Sequence, residues 1–270
     1  MPQFQAGLMA DMAKQLFKAN AVMLPANFAG FGPQAPFGSK DQKSMNPAAL
    51  FLSASTLSYH VDTQRVISKG VEELIDAVCD GIGQAFGNFQ SSAKFVGILI
   101  NGPVGMALPG ALLAAPTMMG PALLGRVNVA GKQPTFIKYA QSITFAIGTA
   151  FTVWQTGFAC VLTYPSAAAC VATMIPAPNI PLPVAAGFSP GDAMLTPGTL
   201  MGLMLANHGM PGAHTLQVFD AMAKAFCTQF MQWKGTTMIQ NVMGMGGVAP
   251  VPPVPPAPVV MATGMVGMLQ

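Results

Sequence analysis

Charge is what this sequence has least of. Asp, Glu, Lys and Arg make up 8% of its 270 residues, against roughly 25% in an ordinary soluble domain. A free-standing monomer with a customary charged surface is therefore excluded. The net charge is only +3, which excludes the concentrated basic face of a nucleic-acid binder. The four cysteines include no C-x-x-C pair, so no zinc site is expected. Asp11, Lys14 and Lys18 interrupt the N-terminal stretch where a secretory leader needs its apolar run, and no signal peptide is expected.

The charges present are segregated. Residues 1–94 hold fourteen of the twenty-one, while the stretches 95–125, 139–191 and 235–270 hold none. Hydrophobic residues reach 52%, with 21 methionines, so intrinsic disorder of the whole chain is excluded. Uncharged segments of such length would expose apolar patches beyond the few hundred Å2 that a monomer tolerates. They must face lipid or other protein.

An apolar stripe recurs three times. Leu74, Val78, Ile82, Phe86 and Phe89 form the first copy; Tyr139, Ile143, Ile147, Phe151 and Trp154 the second; Val218, Met222, Phe226, Phe230 and Trp233 the third. Steps of four and three residues place each set on one helical face. The local text matches too: AFGNFQ, AFTVWQ and QFMQWK fill the same slots, and both tryptophans fall there. The spacing is too long for a short solenoid repeat and predicts three small helical modules. Phe4, Leu8, Met12, Leu16 and Phe17 recur at helical spacing as well, which predicts an N-terminal amphipathic helix.

Each striped helix runs into apolar chain rich in Pro and Gly: NGPVGMALPGALLAAP, YPSAAACVATMIPAPNIPLPVAAG and GMGGVAPVPPVPPAPVV. Proline lacks a backbone donor and glycine is entropically costly, so irregular or polyproline-like arms are expected. Residues 235–270 are expected to contribute little to the chain's own fold and to lie against other chains. A cap residue before a proline predicts short helices at NPAALFL (46–52) and TPGTLMGL (196–203), with further starts at Pro109 and Pro121. Strand signals are sparse, and VNVAG (127–131) is the best short candidate.

Lipid is the weaker of the two environments. A spanning helix needs about 20 predominantly apolar residues. Residues 142–164 are the one credible span, yet the equivalent helices carry Asp76 and Asp80, or Asp220 and Lys224. Met, aromatic side chains and few charges instead suit extensive permanent protein interfaces.

Familiar chemical motifs fail on context. Gly187-Phe188-Ser189-Pro190-Gly191 matches G-x-S-x-G, but Pro190 lacks the N–H that an oxyanion hole needs, so a turn is expected. Gly244-Met245-Gly246-Gly247 follows a helix and precedes polyproline, the wrong setting for a dinucleotide loop. Gly131-Lys132 is followed by Gln133 and makes no phosphate loop. Cys79 and Cys227 read as buried thiols, and a Cys160–Cys170 bridge is an open alternative. His208 and His214 flank the turn GMPGA in capping or packing roles, without a ligand cluster. Glu72, Glu73, Asp76 and Asp80 share one helix face and are expected to pair with Arg65 and Lys69 or to be solvated. No catalytic, cofactor-binding or metal-binding residues are assigned, and no reaction or small-molecule substrate is expected.

The triplicated helices that end in apolar Gly/Pro runs resemble, in style, small virion and tail structural proteins of large tailed phages. The resemblance implies a non-enzymatic structural subunit of a virion, contractile tail, baseplate or related machine, built in the cytoplasm. Its partners would be copies of itself or other structural subunits, without nucleic acid. A membrane-embedded or membrane-remodelling protein is the alternative. The expected fold is mainly α: an N-terminal helix (1–29), a linker (30–45), and three helical modules with Pro/Gly-rich arms (46–125, 126–194 and 195–270).

Overall fold

The computed structural model describes residues 4–21, 54–101, 104–165, 177–212, 214–244 and 268–269. The expected linker 30–45, the short helix at 46–52, Cys170 and the polyproline run of 250–258 lie outside the described residues. Within them the chain is mainly helical with small sheets. The helices are α1 (Ala6–Ala21), α2 (Ala54–Ser92), α3 (Gly120–Leu124), α4 (Pro134–Gly157), α5 (Pro197–His208) and α6 (Thr215–Thr236).

The three striped segments lie in α2, α4 and α6, and their stripes meet. Phe86 sits 5.2 Å from Phe151, 6.4 Å from Phe230 and 5.3 Å from Trp233 between ring centroids. Phe89 stands perpendicular to Phe151 at 4.9 Å, and Trp154 perpendicular to Phe230 at 5.2 Å. Edge-to-face pairs of this kind contribute about 0.5–1.5 kcal/mol each beyond area burial. Every stripe residue is buried except Tyr139, which is partly buried. One shared cluster therefore takes the stripes of all three helices.

Helix α1 packs on α2 and α6. It buries Phe4, Met9, Ala13 and Phe17, and leaves Leu8 half exposed, so its inner face is rotated slightly from the expected one. Phe4 stacks on Phe86 at 4.2 Å. Three carboxylates of α2 find lysines from other elements: Asp76 pairs with Lys14, Glu72 with Lys18 and Glu73 with Lys132, while the charge of Lys69 on the same helix also acts on Glu73. The pairs made by Lys14 and Lys18 are partly exposed, worth at most about 1 kcal/mol each, and fix how α1 aligns with α2.

Two expected proline starts are present. Pro121 lies in the first turn of α3, and α5 begins at Pro197 after Thr196 in extended backbone. Pro109 does not start a helix: Gly110 adopts φ 86° and turns the chain into a strand. α3 lies so close to α4 that a Cβ on Gly148 would stand 2.3 Å from the Gly120 nitrogen.

Among the described residues, ten short strands occupy much of what the sequence predicts as irregular arm. They are β1 (Lys94–Phe95), β2 (Leu99–Asn101), β3 (Val104–Ala107), β4 (Leu112–Leu113), β5 (Cys160–Thr163), β6 (Ala177–Pro178), β7 (Leu182–Pro183), β8 (Met238–Gln240), β9 (Met243–Gly244) and β10 (Met268–Leu269). They pair antiparallel in sheets of order β4-β1-β10-β8-β7, β2-β3-β5 and β6-β9. VNVAG is not among them. Its flanking amides bond locally, Val127 N–H to the Leu124 carbonyl and Lys132 N–H to that of Val129, which closes turns.

For residues 235–244 and 268–269, the described part of 235–270, the expectation of little contribution to the chain's own fold is corrected. Met268 pairs with both Lys94 and Gln240, so β10 joins β1 to β8 within the chain's own sheet. Asn179 secures the neighbouring turn, donating to the Ile239 carbonyl at 2.9 Å and accepting from Val242 N–H at 2.9 Å. The candidate span 142–164 is likewise no single helix, because α4 ends at Gly157 and β5 begins at Cys160. Among the described residues no helix is long and apolar enough to cross a membrane.

The shared aromatic cluster makes a graded prediction. Phe86→Ala, Phe151→Ala and Phe230→Ala should each lower the unfolding free energy by about 3–5 kcal/mol in urea titrations. Leu8→Ala on the outer side of α1 should stay within about 0.5 kcal/mol of the parent. Comparable losses at all four positions would contradict the described packing.

Candidate interaction surface

The sheet β2-β3-β5 presents the least expected surface. Antiparallel sheets with one solvated face alternate apolar and polar residues along each strand. Here the inner positions Gly105, Ala107, Cys160 and Leu162 are buried, with Tyr164 so near Gly105 that a Cβ there would meet its ring at 2.7 Å. Of the outer positions, Thr163 opposite Val104 is polar, and the others described are apolar. Leu99 faces Met106 across one pairing and Met106 faces Val161 across the next. These three residues form a row that is 43%, 45% and 56% exposed. Val104 on the same face is also exposed, and neither 95–125 nor 139–191 contains a charge. Water thus meets a continuous apolar row with no charged side chain on its own strands.

Two cavities offer little chemistry by comparison. The first, about 400 Å3, is lined by Ile67, Leu74, Phe136, Tyr139 and Val218, with Lys132 at its rim. The Lys132 ammonium bonds Glu73 at 2.9 Å, holds that carboxyl below its ordinary range, and lies over the Phe136 ring. The second, about 680 Å3, lies beside Leu195, Pro197, Phe230, Met231 and Cys227. Burial pushes the Cys227 thiol up to about 12, so it is protonated and inert at neutral pH. The Cys160 thiol is also free and is pushed up to about 12 by burial, while that of Cys79 is raised further for the same chief reason.

Ser189 is structural. Its hydroxyl donates to the Trp154 carbonyl at 2.8 Å and accepts from Gly191 N–H at 3.1 Å, capping the 3-10 turn Pro190–Ala193. The Ser189 N–H donates to Asp192, whose other oxygen accepts from Lys234 at 2.6 Å. Lys234 is buried under Trp154 and Phe230 with its ammonium 6.0 and 5.8 Å from the ring centres. Sequence reading did not single out this cation; its one signal is a lysine where the other two stripes end in glutamine.

His214 borders the first cavity, whereas His208 is buried, with Nδ1 3.2 Å from Ser142 Oγ and its ring against Tyr139 and Phe219. Among the described residues no group of three or more His, Cys, Asp and Glu gathers at metal-binding distance.

Burial, and then the charge of Lys138, hold the His208 pKa below its ordinary value. The unfolded chain consequently binds a proton more readily than the folded one. Stability is complete above the unfolded pKa of about 6.5 and falls as pH drops through it. His208→Gln should flatten that slope in thermal melts between pH 7.5 and 5.5; an unchanged slope would assign the dependence elsewhere. Comparison with protein-family models, curated proteins and solved structures finds no match to this chain.

Proposed function

We propose that the protein is a non-enzymatic structural subunit of a large multi-protein assembly, of the kind found in a phage virion, contractile tail or baseplate. The observation that carries this reading is the uncharged outer row Leu99–Met106–Val161. Interface cores are depleted of charge and enriched in methionine, and this face is uncharged and carries Met106. Exposed Leu108 close by extends the same apolar character.

In this reading the three striped helices are repeated modules whose stripes were kept to build one common core. Each helix continues six residues beyond its phenylalanine, from Phe86 to Ser92, Phe151 to Gly157 and Phe230 to Thr236, then enters a strand. Binding rather than turnover is the activity proposed.

Solution behaviour tests the proposal. Expressed alone in detergent-free buffer, the chain should sediment as higher oligomers. Met106→Lys combined with Val161→Lys should shift the distribution toward monomer while leaving helix content by circular dichroism unchanged. A parent protein that sediments as a monodisperse monomer would overturn the proposal, and stable insertion into liposomes would replace it with a membrane role.

A further inference from the structure

The edge of the same sheet carries an inference that rests on the assembly reading. β2 is the outermost strand, and among the described residues no strand pairs with its outer side. Its pairing determines which groups are left over. The Thr163 carbonyl accepts from Ile180 N–H and so faces away from β3, which makes Val104 opposite Thr163 a non-bonded pair and Gly105 opposite Leu162 a bonded one, with the Gly105 N–H and C=O turned toward β5. Alternation then makes Ile100 opposite Gly105 the non-bonded pair and Leu99 opposite Met106 the next bonded one. The backbone N–H and C=O of Ile100 consequently point away from β3, toward the open edge.

Open edges are hazards that proteins blunt with lysine, proline or a bulge inside the strand. β2 has none of these, and the nearest charges in sequence are Lys94 and Arg126. The edge and the face beside it are both uncharged, so like-charge repulsion does not keep a second copy away, and the net charge of +3 adds little.

We propose that β2 pairs antiparallel with β2 of a second copy about a twofold axis through Ile100. An antiparallel strand is its own complement about such an axis: the Ile100 N–H of each copy meets the Ile100 carbonyl of the other. No other sequence is needed to satisfy both groups, and the contact is isologous and closes. Pairing also merges two three-stranded sheets into one of six strands. The two rows Leu99–Met106–Val161 then lie on one side of it, a doubled apolar platform for the next subunit. Main-chain bonds of this kind are the same device that extended peptides use when they add to a sheet edge.

The register makes the test specific. About this axis Leu99 stands opposite Asn101 of the second copy in a non-bonded pair, with Cα atoms about 4.5 Å apart, within the range a disulfide spans. Full-length Leu99→Cys and Asn101→Cys chains, co-expressed and then oxidised, should cross-link to each other, and Leu99→Cys alone should not. The unmodified chain gives an independent reading by site-resolved hydrogen exchange: the Ile100 amide should be strongly protected in the oligomer. An oligomer that lacks the mixed cross-link and exchanges the Ile100 amide freely overturns the edge pairing and leaves the assembly reading standing. A monomer in plain buffer overturns both.

Discussion

The meeting of Phe86, Phe151 and Phe230 is the contact on which the remaining architecture depends. Three helices distant in sequence are brought together there by rings 5.2 to 6.4 Å apart. Because each helix ends the same number of residues beyond its phenylalanine, the three C-termini emerge in one neighbourhood. The strands that follow thereby start near one another. β1 and β8 enter the same sheet and β5 forms the second one, so sheet formation is a consequence of helix packing rather than a rival to it.

At that same end the structure accepts a buried charge. Lys234 lies in the last turn of α6, where the helix dipole favours a cation. Asp192 balances it from a turn that Ser189 caps, and Ser189 in turn donates to the Trp154 carbonyl near the end of α4. Gly191 allows this turn to approach, since a Cβ there would stand 2.3 Å from the Trp154 nitrogen. Aromatic packing alone would leave the ends of α4 and α6 free to slide; the polar chain fixes their relative height.

Helical structure was legible because it repeats. A five-point stripe spans several turns, and fourteen of its fifteen residues are buried where the period places them. Strands of two to four residues offer no comparable period, and the Pro/Gly text around β2, β3 and β7 reads as loop until a pairing partner is known. VNVAG failed for the converse reason: its β-branched residues fit a strand, but local turn bonds use its backbone first. The outer apolar row was hidden differently. Leu99, Met106 and Val161 are unremarkable singly, and only register sets them side by side. Lysine partners of the α2 carboxylates were equally invisible, since Lys14, Lys18 and Lys132 arrive from separate segments.

The place of β10 has a bearing on the order of folding. Met268 pairs with Lys94, 174 residues earlier, and bridges β1 to β8. Helices form on sub-microsecond to microsecond timescales, whereas contacts between such remote residues must first overcome loop-closure entropy. During synthesis the aromatic cluster can therefore assemble while the sheet still lacks its central strand. For that interval β1 and β8 both present unpaired backbone edges beside exposed apolar chain, which is the moment when a nascent subunit is most prone to pair with the wrong neighbour. Arrival of residues 268–269 ends it, so completion of this sheet waits on β10.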